Sequence, residues 1–284
     1  ISQSHQLTIT RRGDKNHPTT APGAVFDDPY SMNTIDLCPV GALTSTDFRF
    51  KARVWEMNQT PGLDITNGKG VNVDLWTRDN LVLRITPRHN PHVNDYWMTD
   101  KGRDAIHLYN ENRLSTPSLR LHPKDKDLVM TSWDNALQTI QEIVESTDLK
   151  QILSLGSPYA SVEENAAWAQ FSQSILKQKP SYTPHVEKGT GDGFLLVDDQ
   201  APNTAGCELL GLKKRTKAAL KKAVSESKVI FSNHDDYIER GWITKEDLKG
   251  KTWIYFGTNM TQMADAATLT VPITCAAEHT ASYI

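Results

Sequence analysis

At 284 residues and 38% hydrophobic content, the chain is long enough to bury the core of one large domain or of two unequal ones. Its net charge of −3 gives no general attraction to nucleic acid or to an anionic membrane, and no apolar run approaches the roughly 20 residues that span a bilayer. The three cysteines, Cys38, Cys207 and Cys275, are odd in number and far apart, which argues against a disulfide framework and favours a reducing compartment.

The first segment, residues 1–48, contains no pattern that could form an independent core. Leu7 to Thr10 alternates like a short strand, and the proline-rich stretch from Asn16 to Pro29 is predicted to be loop. The segment leads into Cys38, which Pro39 follows directly before a turn of small residues. A cysteine followed by proline closes the cysteine run of bacterial ferredoxins, where it binds an iron–sulfur cluster. A packed structural cysteine is the alternative interpretation of this dipeptide taken alone.

The second segment, residues 49–105, is predicted to be rich in β-structure. Phe48 to Trp55 alternates apolar and polar residues like a half-buried strand, and Thr60 to Gly62 is typical of a turn. Val71 to Ile85 contains two alternating runs around the short connection Arg78-Asp79-Asn80, a pattern that predicts a β-hairpin.

The third segment, residues 106–284, alternates predicted strands and helices. Ser132 is expected to cap one helix, and the Ser161–Glu164 capping box is expected to begin another that buries Trp168, Phe171 and Ile175. The predicted strands are Gln151 to Leu155, Phe194 to Val197, Val229 to Phe231 and Trp253 to Phe256. This alternation predicts right-handed βαβ units and a mostly parallel sheet covered on both faces.

Ligands of such sheets bind beyond the carboxyl ends of the strands. The candidate positions there are Gly156-Ser157, Asp198-Asp199, Asn233 to Asp236 and Gly257 to Asn259.

Several motifs resemble nucleotide-binding, catalytic or metal sites, but their sequence context favours a structural role. Gly189 to Gly193 has the wrong spacing for a dinucleotide fingerprint and precedes a predicted strand instead of following one. His234-Asp235-Asp236 is predicted to be a solvated loop, because no convergent partner can be named. His89 and His92 flank a proline and have no nearby third ligand, which favours a loop over a metal site. The basic run that begins at Lys213 is predicted to be a solvated face.

A family resemblance covers nearly the whole chain. Its motifs are CPVGALTSTDFRFKARVWEM, VLRITPRHNPHVNDYWMTDKGRDAI, NENRLSTP, LVDDQAPNTAGCELLGL and ADAATLTVPITCAAEHTASY, in this order. Together they resemble the large iron–sulfur subunit (the G subunit) of NADH-quinone oxidoreductase, respiratory complex I. The resemblance implies that 1–48 is the tail of an iron–sulfur domain. It implies that 49–105 resembles the [4Fe–4S] module of Mo/W-bis-MGD enzymes without its cysteines. It implies that 106–284 is an α/β domain with a mostly parallel, Rossmann-like sheet of the molybdopterin-oxidoreductase type.

The resemblance implies that Cys38 is the last thiolate ligand of a [4Fe–4S] cluster. The other ligands of that cluster form a Cys-x-x-Cys-x-x-Cys run that this sequence does not contain, so the 284 residues are expected to be cluster-free by themselves. Thr99 stands where molybdopterin enzymes place a cysteine before Lys-Gly-Arg, so a second cluster is not expected. Lys101 and Arg103 are then expected to have structural or surface roles.

The expected function is that of an electron-transfer and scaffold fragment of complex I, with NADH and flavin bound by a partner subunit and quinone as the acceptor. No catalytic residue, no molybdenum and no nucleic-acid partner is expected. The resemblance implies other peripheral-arm subunits as partners, and a location in the bacterial cytoplasm at the inner membrane face, without membrane insertion. The alternative is a molybdopterin-dependent oxidoreductase such as a formate dehydrogenase catalytic subunit, for which Cys207 or Cys275 would be the candidate metal ligand; both are expected to be packed thiols.

Overall fold

The computed structural model describes residues 4–122 and 127–284, which form two compact units. The first unit comprises Ile1–Asp64, Val71–Ile106 and Gly193–Leu196, and the second comprises Ile65–Gly70, His107–Asp192 and Val197–Ile284. No helix among the described residues is long and apolar enough to cross a membrane.

The first unit is built on small antiparallel sheets and short helices. Strands β1 (Leu7–Thr10) and β2 (His17–Thr20) pair with each other, and β3 (Asn58–Leu63), β4 (Asn72–Arg78) and β5 (Leu81–Pro87) form a three-stranded sheet in this order. Its helices are α1 (Asn33–Leu37) and α2 (Asp100–Asp104), and 3₁₀ turns cover Gly13–Lys15 and Val54–Glu56. The short helix α3 (Ile106–Asn110) begins at the last residue of this unit and continues in the second.

The predicted hairpin is confirmed as β4 and β5. The two residues that connect these strands, Asp79 and Asn80, have φ angles of 52° and 61°. Two successive left-handed residues make the turn whose twist matches that of antiparallel strands. Asp and Asn tolerate this conformation better than most residues.

Three predictions for the first unit are wrong, in whole or in part. Phe48 to Trp55 forms turns and a 3₁₀ helix instead of a strand, and Phe50 and Trp55 are 92% and 82% exposed, so no layer covers the alternating pattern. The predicted turn from Thr60 to Gly62 is instead part of strand β3, which includes Pro61. Among the described strands β3 pairs only with β4, and an edge strand tolerates a proline because one row of its N–H groups needs no partner. Within the predicted loop from Asn16 to Pro29, β2 also forms.

The second unit is a three-layer α/β structure. Its strands are β6 (Ser118–Leu119), β7 (Val129–Met130), β8 (Ile152–Leu155), β9 (Ser181–Tyr182), β10 (Lys213–Lys214), β11 (Val229–Asn233), β12 (Thr252–Gly257) and β13 (Leu269–Pro272). Its helices after α3 are α4 (Trp133–Ser146), α5 (Val162–Ser174), α6 (Thr204–Leu209), α7 (Lys217–Glu226) and α8 (Gln262–Ala266). The sheet order is β10-β9-β8-β11-β12-β13-β6-β7, parallel from β10 to β13 and antiparallel at β6 and β7.

The two faces of this sheet bury alternate residues of the same strands. Val229 and Phe231 of β11 pack on one face with residues of α4 and α5. Ile230, between them, packs on the other face with residues of α7 and α8. Because side chains alternate along a strand, each central strand contributes to two cores, which explains its continuous apolar sequence.

The helix starts of the second unit were predicted well, and one strand was not. Ser132 and Ser161 accept the N–H of Asn135 and Glu164 at 3.2 and 3.1 Å, as caps do. Ile175 is 50% exposed after the end of α5, so its predicted burial is wrong. Phe194 to Val197 forms no strand; the Leu195 N–H instead donates to the Tyr30 hydroxyl at 3.3 Å, and the side chain of Leu195 is fully buried.

Candidate functional site

Cys38 lies at the C-terminal end of α1, in the first unit. Its N–H donates to the Ile35 carbonyl and its own carbonyl accepts the Gly41 N–H, each at 3.3 Å. Gly41 has a φ of +64°, a conformation that glycine adopts without the steric cost that other residues meet. The helix end and this tight turn therefore determine the backbone conformation at Cys38 and at the residues that follow it.

The backbone of this turn stabilises the ionised form of the thiol. The pKa of Cys38 is lowered chiefly by the N–H of Leu43, against an opposing effect of burial, and further by the N–H groups of Ala42, Val40 and Gly41. Turns whose backbone N–H groups favour a negative charge are also found at iron–sulfur sites. The turn is therefore suited to a thiolate that binds a metal.

Residues of α2 hold the N-terminal end of α1. The Asp100 carboxylate accepts the Met32 N–H at 3.0 Å and the Ser31 hydroxyl at 2.6 Å. The Asp100 N–H in turn donates to the Pro29 carbonyl at 2.8 Å. These bonds tie the approach to α1 to a segment almost 70 residues further along the chain.

A second set of contacts holds the body of α1. The Asn33 amide donates to the Met98 carbonyl at 2.8 Å and accepts the Met98 N–H at 3.3 Å. Arg103 donates from Nη2 to Asn33 Oδ1 at 3.0 Å and to Asp36 Oδ2 at 2.5 Å. Since Asp36 stands two residues before Cys38, the buried guanidinium of Arg103 helps to position the cysteine. We call Asn33, Asp36, Met98, Asp100 and Arg103 the α1 clamp.

Thr99 caps α2 inside this region. Its hydroxyl accepts the Gly102 N–H at 3.2 Å, and both residues are buried. A Cβ on Gly102 would lie 2.2 Å from Asp64 Oδ2, so the backbone of α2 approaches that side chain closely. The position at which molybdopterin enzymes carry a cysteine therefore has a structural role beside the α1 clamp.

A cavity of about 520 Å³ lies beside Cys38 and is lined by residues of the first unit, among them Asp36, Phe48, Trp55, Arg84 and Arg103. The Arg84 guanidinium lies 4.4 Å from the ring centroid of Trp76 and 5.0 Å from that of Phe48. Burial lowers the pKa of Arg84, and the aromatic faces partly compensate the loss of hydration.

The cysteines of this chain are too few and too far apart for a four-thiolate cluster. Cys38 is the only cysteine of the first unit, and Cys207 and Cys275 are buried in the second. Over residues 4–122 and 127–284, no group of three or more His, Cys, Asp and Glu side chains could hold a metal ion. The turn at Cys38 fits a single thiolate ligand, and the set as a whole does not fit a complete cluster.

At the carboxyl ends of β8 and β11, the structure brings Ser157 and Asp235 together, with a hydroxyl-to-carboxylate distance of 3.2 Å. Asp235 and Asp236 are 1% and 6% exposed, so the prediction of a solvated loop is wrong. Burial raises the pKa of Asp235 to about 6. Arg240 lies 3.0 Å from this carboxylate and stacks over Tyr159, an arrangement that local sequence did not indicate.

The other candidate positions have separate partners. His234 Nε2 lies 3.2 Å from Glu164 Oε1 on α5. Asp198 Oδ1 accepts the N–H groups of Gly189 and Gly191 at 3.1 and 2.9 Å, so this glycine loop folds on a carboxylate of its own chain. Thr258 donates to its neighbour Asn259. These positions do not converge on one catalytic constellation.

Cys207 and Cys275 are packed thiols, as predicted. They are 0% and 6% exposed, and burial raises the pKa of Cys207 to about 12. Burial also raises the pKa of Cys275. Burial therefore disfavours the thiolate form of both residues, which is the form that binds a metal.

Two sequence families match the chain. Residues 1–44 match the ferredoxin-like domain of NADH-quinone oxidoreductase subunit 3. Residues 57–107 match the NADH-ubiquinone oxidoreductase NDSU1/NuoG-like 4Fe-4S domain, although this stretch contains no cysteine. The α1 clamp therefore joins residues of both matched regions.

Curated relatives match over larger parts of the chain. The G subunit of NADH-quinone oxidoreductase from Rickettsia bellii is 33% identical over 175 residues, 62% of this chain and 25% of the relative. The mitochondrial NADH-ubiquinone oxidoreductase 78 kDa subunit of Neurospora crassa is 40% identical over 140 residues, 49% of this chain and 18% of the relative. The mitochondrial NADH dehydrogenase [ubiquinone] iron-sulfur protein 1 of Solanum tuberosum is 30% identical over 236 residues, 77% of this chain and 32% of the relative.

The chain thus spans about a quarter of the length of the Rickettsia relative and about a third of that of the Solanum relative. The names of these relatives and the two family matches agree with the resemblance that the motifs predicted. The chain belongs to the family of the large iron–sulfur subunit of NADH-quinone oxidoreductase.

Proposed function

We propose that this chain is an electron-transfer and scaffold part of NADH:quinone oxidoreductase and that Cys38 is one thiolate ligand of a [4Fe–4S] cluster. The observation that carries the proposal is the tight turn after α1, in which the Cys38 carbonyl accepts the Gly41 N–H at 3.3 Å and backbone N–H groups, chiefly that of Leu43, lower the pKa of the Cys38 thiol. A thiol whose ionised form is stabilised in this way gives up its proton to iron more readily than an ordinary cysteine. Three further ligands would have to come from residues other than these 284, since four are needed.

Residues 49–105 support the Cys38 turn in this proposal. Their segment Met98 to Arg103 contributes more than half of the α1 clamp, and Thr99 serves as a helix cap where a ligand would otherwise stand. This module therefore acts as scaffold for the neighbouring site. The proposed domains are the tail of an iron–sulfur domain (1–48), this module (49–105) and the α/β domain (106–284).

The α/β domain is proposed to have the molybdopterin-oxidoreductase type of fold without molybdenum. The buried Asp235–Arg240 pair at the carboxyl ends of its strands supports this, because internal ion pairing occupies part of the place where such folds bind ligands. No residue of the chain is proposed to carry out acid–base or nucleophilic catalysis.

The proposed partners are other peripheral-arm subunits of complex I, including the one that binds NADH and flavin. The proposed location is the cytoplasmic side of the bacterial inner membrane. The relatives named as NADH-quinone and NADH-ubiquinone oxidoreductase subunits support the proposed partners.

The first experiment is to measure iron, acid-labile sulfide and molybdenum in the 284-residue chain purified without oxygen. We expect none of the three. About four iron and four sulfide per chain would contradict the ligand count of one. Stoichiometric molybdenum would favour the molybdopterin-dependent oxidoreductase.

The second experiment uses the assembled oxidoreductase that contains this subunit. Cys38→Ser is expected to remove the electron paramagnetic resonance signal of one [4Fe–4S] cluster. Cys207→Ser, at a buried thiol of the second unit, is the matched control and should leave every cluster signal in place. A complete set of cluster signals in Cys38→Ser would overturn the assignment of Cys38.

A further inference from the structure

An apolar groove of about 400 Å³ lies on the second unit between α4 and α5. Leu137 and Ile140 of α4 and Ala167, Trp168 and Phe171 of α5 line it, and Phe256 and Ile273 also contribute. Glu164 and His234, two of its polar lining residues, are paired with each other. The groove therefore offers a contact surface that is mainly hydrocarbon.

The apolar face of α4 is only partly covered within this chain. Ile143 and Val144 pack against the sheet, and Ala136 is the only residue of the helix that is buried. Trp133 and Leu137, in the first two turns of the same helix, are 49% and 58% exposed. Because a helix stripe of this width normally faces a partner surface, the exposed part of α4 extends the groove into a longer apolar surface.

The flanks of the groove are acidic. Asp134 and Glu145 lie on α4 beside the apolar stripe by the helical period, and Glu163 lies on the outer side of α5. Neither helix contains a lysine or arginine. In the part of the chain that the structure describes, none of these three carboxylates has a cationic side chain within ion-pair distance, whereas ion pairs are present elsewhere on the second unit, such as Lys221–Asp247.

The apolar groove and its acidic flanks together indicate what kind of partner segment would bind there. We infer that the α4–α5 groove docks an amphipathic helix of a partner protein that has an apolar stripe flanked by lysine or arginine residues. Helix-in-groove recognition uses apolar anchors at i, i+3, i+4 and i+7, and basic flanks would pair with Asp134, Glu145 and Glu163. Electrostatic complementarity of this kind selects among partners more than it adds affinity.

A second copy of this chain does not fit the same description. Two copies that met through their α4–α5 grooves would place acidic flanks against acidic flanks. The lysine-rich helix α7 could not serve as the ligand, because Leu220, Ala223 and Val224 bury its apolar face against the sheet. The occupant is therefore neither a second copy of this chain nor its helix α7. The inference does not depend on the role proposed for Cys38.

The test uses the full 284-residue chain and two fluorescently labelled helical peptides of about 16 residues. Both carry leucine at i, i+3, i+4 and i+7; one has lysine and the other glutamate at the remaining positions. Fluorescence anisotropy measures the binding of each peptide to the wild-type chain and to Leu137→Glu. Leu209→Glu is the matched control, because Leu209 is 71% exposed on α6 and does not line the groove.

We expect the leucine–lysine peptide to bind wild type and Leu209→Glu equally, and Leu137→Glu at least about tenfold more weakly. Asp134→Asn combined with Glu145→Gln should weaken binding several-fold and reduce its salt dependence. Leu137→Gln should also weaken the binding of the leucine–lysine peptide, and it does so without adding a charge. Circular dichroism is used to check that each variant folds.

Three outcomes would overturn the inference. The leucine–glutamate peptide could bind as tightly as the leucine–lysine peptide. The lysine peptide could bind Leu137→Glu as tightly as wild type. Light scattering could detect a dimer of this chain that Leu137→Glu dissociates, in which case a second copy would be the occupant.

Discussion

Arg103 donates from Nη2 to Asp36 Oδ2 at 2.5 Å, and its side chain is only 6% exposed. The two residues are 67 positions apart in the chain, and Asp36 stands two residues before Cys38. The position of the only cysteine in the first unit therefore depends on a side chain from the stretch that matches a 4Fe-4S domain but contains no cysteine.

Replacement of Arg103 by glutamine is expected to loosen α1. The change removes the Asp36 ion pair and one hydrogen bond to Asn33, and it should lower the free energy of unfolding by about 1–3 kcal/mol. Hydrogen exchange followed by mass spectrometry should show faster exchange over Asn33 to Gly41, while the β4–β5 hairpin keeps its protection.

Lys101→Gln is the matched control, since Lys101 is an exposed cation on the same short helix. It should leave the exchange of α1 unchanged. Equal protection of α1 in Arg103→Gln and wild type would contradict the role of Arg103 in the α1 clamp.

Local sequence was sufficient to predict the elements that short-range chemistry determines. The caps Ser132 and Ser161, the β4–β5 hairpin and the central strands β8, β11 and β12 follow from residues within a few positions of each other. Phe48 to Trp55 shows the limit of such patterns. Its alternation matches a strand, but no second layer covers it, and a strand forms only where it finds a neighbour to pair with.

The candidate sites follow the same division. Cys38 was proposed as a site residue because Cys-Pro is a contiguous motif, whereas nothing near Asp36 indicates Arg103 as its partner. The burial of Asp235 was missed for the same reason. A carboxylate beside a histidine and a second aspartate resembles a solvated loop until the positions of Ser157 and Arg240 are known.

The β4–β5 turn leads to a prediction on stability. Asn80 has a φ of 61°, which a β-branched residue adopts only with strain. Asn80→Val should therefore lower the free energy of unfolding by about 1–2 kcal/mol, and Asn80→Gly should leave it unchanged or raise it slightly. Urea denaturation of the three proteins measures the difference. Equal stability of Asn80→Val and wild type would show that the turn does not require the left-handed conformation.

The Glu164–His234 pair predicts a dependence on low pH. Burial would raise the pKa of Glu164, but the contacts with His234 and the Ser161 N–H outweigh it and hold this pKa at about 2, below the ordinary 4.5. A depressed pKa in the folded state stabilises the protein above pH 4.5, and this contribution is lost as the pH falls through 2.

Glu164→Gln should thus lower the free energy of unfolding by about 2–3 kcal/mol at pH 6, and by progressively less towards pH 2. Urea denaturation at about pH 6, 4 and 3 measures the change. Glu142→Gln, at an exposed position of α4, is the control for the loss of one surface carboxylate. A constant difference between Glu164→Gln and wild type at all three pH values would argue against the depressed pKa.

Asp235 predicts the opposite dependence on pH. Burial raises the pKa of Asp235 from 3.8 to about 6, although Arg240, Ser157 and His234 all act to lower it. A raised pKa in the folded state means that the folded protein binds the proton more tightly than the unfolded chain. The resulting stabilisation is complete below pH 3.8 and disappears as the pH rises through 6.

Asp235→Asn removes this titration while keeping the shape of the side chain. The free energy of unfolding of wild type relative to Asp235→Asn should therefore fall by about 2–2.5 kcal/mol between pH 4 and pH 7, from the roughly 1.36 kcal/mol that each pKa unit represents. Urea denaturation at several pH values across this range measures the difference. Asp247→Asn serves as the control, because contacts with Thr244 and Lys221 lower the pKa of that aspartate. The free energy of unfolding of wild type relative to Asp247→Asn should therefore not fall as the pH rises over this range. If the curves of wild type and Asp235→Asn run parallel throughout, Asp235 is ionised at every pH tested, and the ion pair with Arg240 outweighs its burial.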